Sequence, residues 1–366
     1  MAYGTVNTDL ISDSSGGKLA PISSVFRNRI INGAMVIDQR NAGASITVSS
    51  GSTSYPVDRM LCYVETSSSG TFTAQQSSSA PAGFKNSVLL TTATADSSIT
   101  AAEGYSFQHR VEGYNIADLG WGTADAKTVT LSFWVKSSLT GTFAGSISNG
   151  AFNRAYVFNY TISSANTWEQ KSVTIAGDTG GTWTSTNGTG LIVYLSVGAG
   201  SNYNQTANTW GSFGYSTSGA VNVIGTASAN ISFTGVQLEV GSSATGYEYR
   251  QYQQELALCQ RYYAKSYAIA TAPATAYTAG SSGVSLAVGS VAGMGTGFNL
   301  PVTLRTAPTL TVYDAAGTSA RMTYYSGGWT NGGTILASYA DTQQGFAQVN
   351  PTSTAISFQY TVSAEL

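Results

Sequence analysis

The chain has a single histidine, His109, set among Ser106, Arg110 and Glu112, and a Ser-His-Asp relay would have to be built around it. An alternating strand through 106–113 puts His109 and Val111 on one face and Arg110 and Glu112 off it, which predicts a structural histidine. No Gly-x-Ser-x-Gly elbow in a strand-turn-helix setting supplies a nucleophile. Cys62 and Cys259 are too few for a disulfide framework and lack the clustered spacing of a zinc site, so both are expected as small buried hydrophobes. The 18 acidic residues are scattered singly, with no dense oxygen-rich loop of the kind calcium requires. Glycine-rich 292–297 lacks the strand-loop-helix context that cradles phosphate. No metal, no cofactor and no catalytic residue are therefore expected. Two carboxylates suffice for glycoside hydrolysis, which keeps a polysaccharide depolymerase as the less favoured, enzymatic alternative.

The residue types that remain suited to chemistry are aromatic. A neutral sugar offers an apolar face rimmed by hydroxyls, so it is met by flat rings beside short polar side chains. The segment 324–331 combines Tyr324, Tyr325 and Trp329 with Ser326, two glycines and Asn331, and Asp341 adds a polar contact. A second candidate is the loop-like 202–210, with Tyr203 and Trp210.

Elements able to hold such rings follow from composition. Only 9% of the 366 residues are charged, whereas 11% are aromatic, and net charge is −2. Enzymes need perturbed titratable groups, so this balance favours a structural or binding protein. No Lys/Arg cluster gives nucleic acid a footprint, and no 18-residue apolar run would cross a membrane. The start lacks a basic stretch followed by an apolar run, so synthesis without a secretory signal is expected.

Short alternating strands separated by turn residues run from Arg29 to Arg250, most clearly at 128–136, where Val129, Leu131, Phe133 and Val135 share one face. Further strands are expected at 155–162, 168–175, 190–197 and 229–240. Ile30, Ile31, Met35 and Ile37 are expected to anchor a first strand. Trp134 and Trp168 are expected to dominate the core or cover an open face. Asp38, Arg40, Glu239 and Arg250 read as hydrogen-bonded corners. One helix is credible at 252–263, with Tyr252, Leu256, Cys259 and Tyr263 on one stripe that would serve self-association. Strand-like runs resume at 283–288, 309–313, 321–325, 346–349 and 355–362. The predicted fold is all-β: a polar arm (1–27), a β-sandwich (28–251), a connecting helix (252–263) and a smaller distal β domain (264–366).

Four phrases carry more than composition: Asn28-Arg29-Ile30-Ile31-Asn32-Gly33-Ala34-Met35-Val36-Ile37-Asp38-Gln39-Arg40-Asn41, Leu131-Ser132-Phe133-Trp134-Val135-Lys136-Ser137-Ser138, Gly235-Val236-Gln237-Leu238-Glu239-Val240-Gly241-Ser242 and Glu255-Leu256-Ala257-Leu258-Cys259-Gln260-Arg261-Tyr262-Tyr263. They resemble a family of bacteriophage tail-fibre and receptor-binding proteins. The resemblance implies a jelly-roll sandwich related to carbohydrate-binding modules, a variable distal domain that binds host surface glycan, and an N-terminal arm that attaches to tail or baseplate proteins. It also implies a homotrimer on the virion, in which three weak sites gain avidity. The alternative is a purely structural virion component such as a head fibre, decoration protein or connector.

Overall fold

The computed structural model describes residues 27–281, 283–350 and 352–366; the expected arm at 1–27 lies outside them except for Arg27. Among the described residues the strands form three antiparallel sheets. The first, of six strands, runs β1 (Ile46–Val48), β4 (Thr71–Ser77), β5 (Ser87–Thr94), β13 (Asn230–Val240), β7 (Val129–Ser137) and β10 (Glu169–Ile175). The second, of seven, runs β12 (Thr209–Gly211), β9 (Ala155–Ile162), β8 (Gly141–Asn149), β11 (Thr189–Ala199), β6 (Gly104–Glu112), β3 (Met60–Val64) and β2 (Thr53–Val57). Consecutive strands repeatedly switch sheets, β5 to β6 to β7 to β8, which builds the jelly-roll sandwich.

Alternation decides which side chains fill it. Val129, Leu131, Phe133 and Val135 of β7 are each fully buried, and each such side chain contributes about 1.5–3 kcal/mol relative to exposure. Phe107 of β6 stacks on Phe233 of β13 with centroids 5.4 Å apart, joining the two layers through the middle of the core. His109 and Val111 lie on the same inward face, as the period-2 reading requires. Trp134 and Trp168 are only half-buried, and Lys136 sits over the Trp168 ring at 5.2 Å, so they cover the outside rather than fill the core.

Two expectations are corrected. Segment 28–39 forms no strand: Ile30, Met35 and Ile37 are buried, but the backbone turns at Asn32 and Met35, both with positive φ. The Asn32 side chain replaces a ladder, donating to the Ile37 and Asp58 carbonyls and accepting the Ile37 N–H. The helix, α1 (Tyr252–Gln260), stops before Tyr263, which instead opens β14 (Tyr263–Lys265). Its stripe is real but is used within the chain. Leu256 and Cys259 pack with Ile31, Ile37 and Tyr262, and Tyr263 is buried under the Arg40 guanidinium. Of the four residues expected to drive self-association, only Tyr252 is exposed.

The third sheet, of eight strands, runs β14, β21 (Ser353–Ser363), β18 (Arg321–Tyr325), β19 (Trp329–Ala340), β20 (Gln344–Val349) and β16 (Gly295–Asn299), with β15 (Val284–Val291) and β17 (Thr309–Tyr313) also pairing with β21. It has its own small core around Met322, Val349, Ile356, Phe358 and Val362. Charged groups tie it to the sandwich. Glu365 accepts from both Arg40 and Arg59, while Glu112 takes a bidentate contact from Arg261 and the Tyr262 hydroxyl.

Candidate glycan-contact surfaces

The β18–β19 hairpin turns through Ser326, Gly327 and Gly328, closed by a Ser326 N–H bond to the Gly328 carbonyl. Gly327 has φ +74°, a conformation that glycine adopts without strain. Tyr325 and Trp329 are the paired residues flanking this turn. Their rings meet edge to face with centroids 5.4 Å apart, and they stay 36% and 42% exposed. Trp329 rests against Gly280, where a Cβ would come within 2.9 Å of the indole ring. An aromatic pair is thus held in place by backbone packing yet open to solvent.

The other residues expected at this site are elsewhere. Tyr324 points to the opposite face and packs against the distal core, because neighbouring strand residues alternate. Asp341 lies beyond the far end of the 12-residue β19, roughly 35 Å along a strand from Trp329. Its carboxylate accepts the Gln343 and Gln344 N–H groups, which lowers its pKa and makes it the staple of the β19–β20 turn.

Tyr203 and Trp210 also separate, into two ring clusters on the sandwich. Tyr203 stacks on Tyr215 at 4.9 Å, and Tyr215 stacks on Tyr194 at 5.2 Å. Gly104 admits this column; a Cβ there would lie 2.1 Å from the Tyr215 hydroxyl. Burial, reinforced by Glu65, pushes the Tyr203 phenol up to about 12, so it remains a neutral donor. The hydroxyls of Ser146 and Ser196, beside Tyr194 on the same face, have no partner. Trp210 instead joins Trp121, Trp183 and Tyr156 at the sandwich edge. The three indole N–H groups donate to Lys127, Asp178 and Ala176, which marks a structural seal.

Sequence reasoning missed Tyr194, Phe213 and Tyr215, which sit in or beside runs read only as strand or loop. It also missed Tyr339 and Phe346, a stacked pair at 5.3 Å on the distal sheet. No continuous period-2 run marks the latter, because the Asp341 turn separates Tyr339 from Phe346.

Most carboxylates among the described residues are committed to partners. Asp58 faces Arg40, Asp178 takes Arg154, Glu112 takes Arg261, Asp96 accepts from Tyr105, and Asp38 binds the turn N–H groups of Arg40, Asn41 and Gly43. Glu239 accepts from Gln237 and Thr245, and Arg250 spans Ile30 and Glu255, so all four conspicuous charges sit in hydrogen-bonded corners. Among the described residues no group of three His, Cys, Asp or Glu could hold a metal, and no helix is long and apolar enough to cross a membrane.

No family model matches the chain, and no curated protein does either. Among solved structures, it is similar to the enzymatically active domain of tailspike protein 4 of bacteriophage CBA120, at 12% identity and TM-score 0.31, over 60% of this chain and 22% of that one. A family 11 carbohydrate-binding module from Clostridium thermocellum, in complex with a β-1,3-1,4-mixed-linked tetrasaccharide, matches 55% of this chain and 98% of its own at 10% identity and TM-score 0.28. The C-terminal family 22 module of Clostridium thermocellum Xyn10B matches 60% of this chain and 98% of its own at 13% identity and TM-score 0.26. At such scores the functional reading rests on the side chains described above.

Proposed function

We propose that this chain is a non-catalytic fibre protein of a phage particle that adsorbs to host surface glycan through its distal β domain. The observation that carries this reading is the Tyr325–Trp329 pair, exposed at a hairpin tip whose neighbours are Ser326, two glycines and Thr330. Sugars bind such surfaces by stacking an apolar ring face on an aromatic side chain while their hydroxyls stay partly in water. Three further proposals belong to the same reading: attachment to tail or baseplate proteins through residues 1–27, location on the virion, and assembly as a homotrimer. The phrases at 28–41, 131–138, 235–242 and 255–263 support it, as does commitment of most described carboxylates to separate partners in place of a shared cleft.

Retention of the labelled full-length chain by bacterial cells and by immobilised lipopolysaccharide tests this function. Trp329→Ala is expected to lower retention about tenfold, the loss of one stacking contact of about 1.4 kcal/mol. Retention unchanged in that variant, or absent in the native chain, contradicts it.

A further inference from the structure

We infer that the outer face of β19, β20 and β16 is a second subsite, taking the apolar face of a neutral hexose; this rests on the glycan-binding reading above. The register fixes one row as Tyr339, Phe346 and Gly297 and the next as Ala337, Gln348 and Gly295. Ala347 and Val349, alternating with Phe346 and Gln348 on β20, are fully buried in the distal core, so both rows face away from it. Tyr339 is 64% exposed, and its ring lies 26° from the plane of Phe346 at 5.3 Å, giving one nearly continuous platform.

The platform is built to lie flat. A Cβ at Gly295 would come 2.6 Å from the Phe346 ring, so only glycine lets that ring recline across the neighbouring strand. The Gln348 amide is pinned by donating to the Gly293 carbonyl at 2.6 Å, and the Gln344 amide donates to Asp341. The rim is thus Asn299, Gln344 and Gln348, amides with no formal charge. The charge on Asp341 is already held by its own turn. A flat aromatic floor with an uncharged, hydrogen-bonding rim complements a neutral polyol and offers a charged ligand no counterion. Trp329 lies on the same strand as Tyr339, about 30 Å back along β19, with Tyr325 opposite it on β18, so two subsites along β19 share one polysaccharide and gain avidity.

The test titrates the full-length chain with immobilised neutral hexamers of glucose, galactose and mannose, and with hexagalacturonate as the charged control. Binding to at least one neutral hexamer is expected, with hexagalacturonate weaker. Roughly tenfold loss is expected in Tyr339→Ala, and a smaller loss in Gly295→Ala, which keeps both rings but lifts Phe346. Equal binding by native chain and Tyr339→Ala, with loss confined to Trp329→Ala, overturns the second subsite and leaves the hairpin function standing. Binding to no neutral hexamer overturns the ligand class assigned to this face, while cell retention still judges the hairpin separately. A fall in sedimentation coefficient of Tyr339→Ala with unchanged sugar binding assigns the face to a second copy and also overturns it.

Discussion

Trp329 and His109 show how differently two conspicuous residues were decided by their surroundings. Trp329 kept its chemistry because it begins β19 directly after a tight Gly-Gly turn, where it stays 42% exposed, and Gly280 steadies it from behind. His109 lost its chemistry to burial: desolvation, with Arg59 and Arg250 adding repulsion, pushes the imidazole well below its usual 6.5. Its Nε2 accepts the Ile31 N–H, so it serves the turn at 28–37. The folded state thus refuses a proton that the unfolded chain accepts, so the His109 contribution to stability falls as pH drops below about 6.5, by up to about 1.4 kcal/mol per pH unit, opposed by Asp58, whose burial raises its pKa to about 6. Urea titrations at pH 7.0 and 5.5 check this; the decline should shrink in His109→Gln, and an unchanged decline would assign it to other groups. That His109 is structural was legible from alternation with Val111. The opposite face of Tyr324 follows from the same alternation applied to the strand at 321–325, whereas the position of Asp341 was not legible, because proximity in sequence does not say how long the intervening strand is.

At the scale of elements, strong alternation predicted best. Strand β7 falls within one residue of the span read from Val129, Leu131, Phe133 and Val135, and β9, β10, β11 and β13 are similarly close. Strand β19 was invisible, since Gly332 and Gly333 and a bulge at Leu336 interrupt its period. Segment 28–39 misled for the opposite reason: its apolar residues are buried, but Asn32 supplies by side chain the bonds a strand would make by backbone. Helix α1 had a readable stripe whose partner was unreadable, because Ile31 and Ile37 are more than two hundred residues away in sequence. Leu256 is 7% exposed within that cluster, so Leu256→Ala should cost about 2–4 kcal/mol. Chemical denaturation measures it. A cost under about 0.5 kcal/mol, accompanied by a change in oligomeric state, would restore the stripe to an intermolecular role.

The whole molecule is organised by scarcity of charge. Much of what little exists is gathered where the sandwich meets the distal sheet: Arg40, Arg59 and Glu365 on one side, Glu112 and Arg261 on the other, with Arg305 donating to the Asn187, Ala364 and Glu365 carbonyls. The surfaces left for recognition carry aromatic rings and neutral polar groups instead. Glu365→Ala would leave two arginines without this carboxylate, and breaking a buried pair of this kind costs about 3–5 kcal/mol, less here because Glu365 is 10% exposed. Calorimetry should then show the distal sheet melting before the sandwich; a single unshifted transition would show that the junction is held otherwise. The strands on either side of the lone helix were legible in the turn spacing. The junction was not, since its ion pairs join residues up to 325 apart. The account as a whole is tested most directly by isothermal titration of the full-length chain with purified lipopolysaccharide O-chains from a bacterial panel. It predicts a saturable binding heat for at least one O-chain, weakened about tenfold in Trp329→Ala. A sustained heat of turnover, or binding indifferent to that substitution, would contradict it.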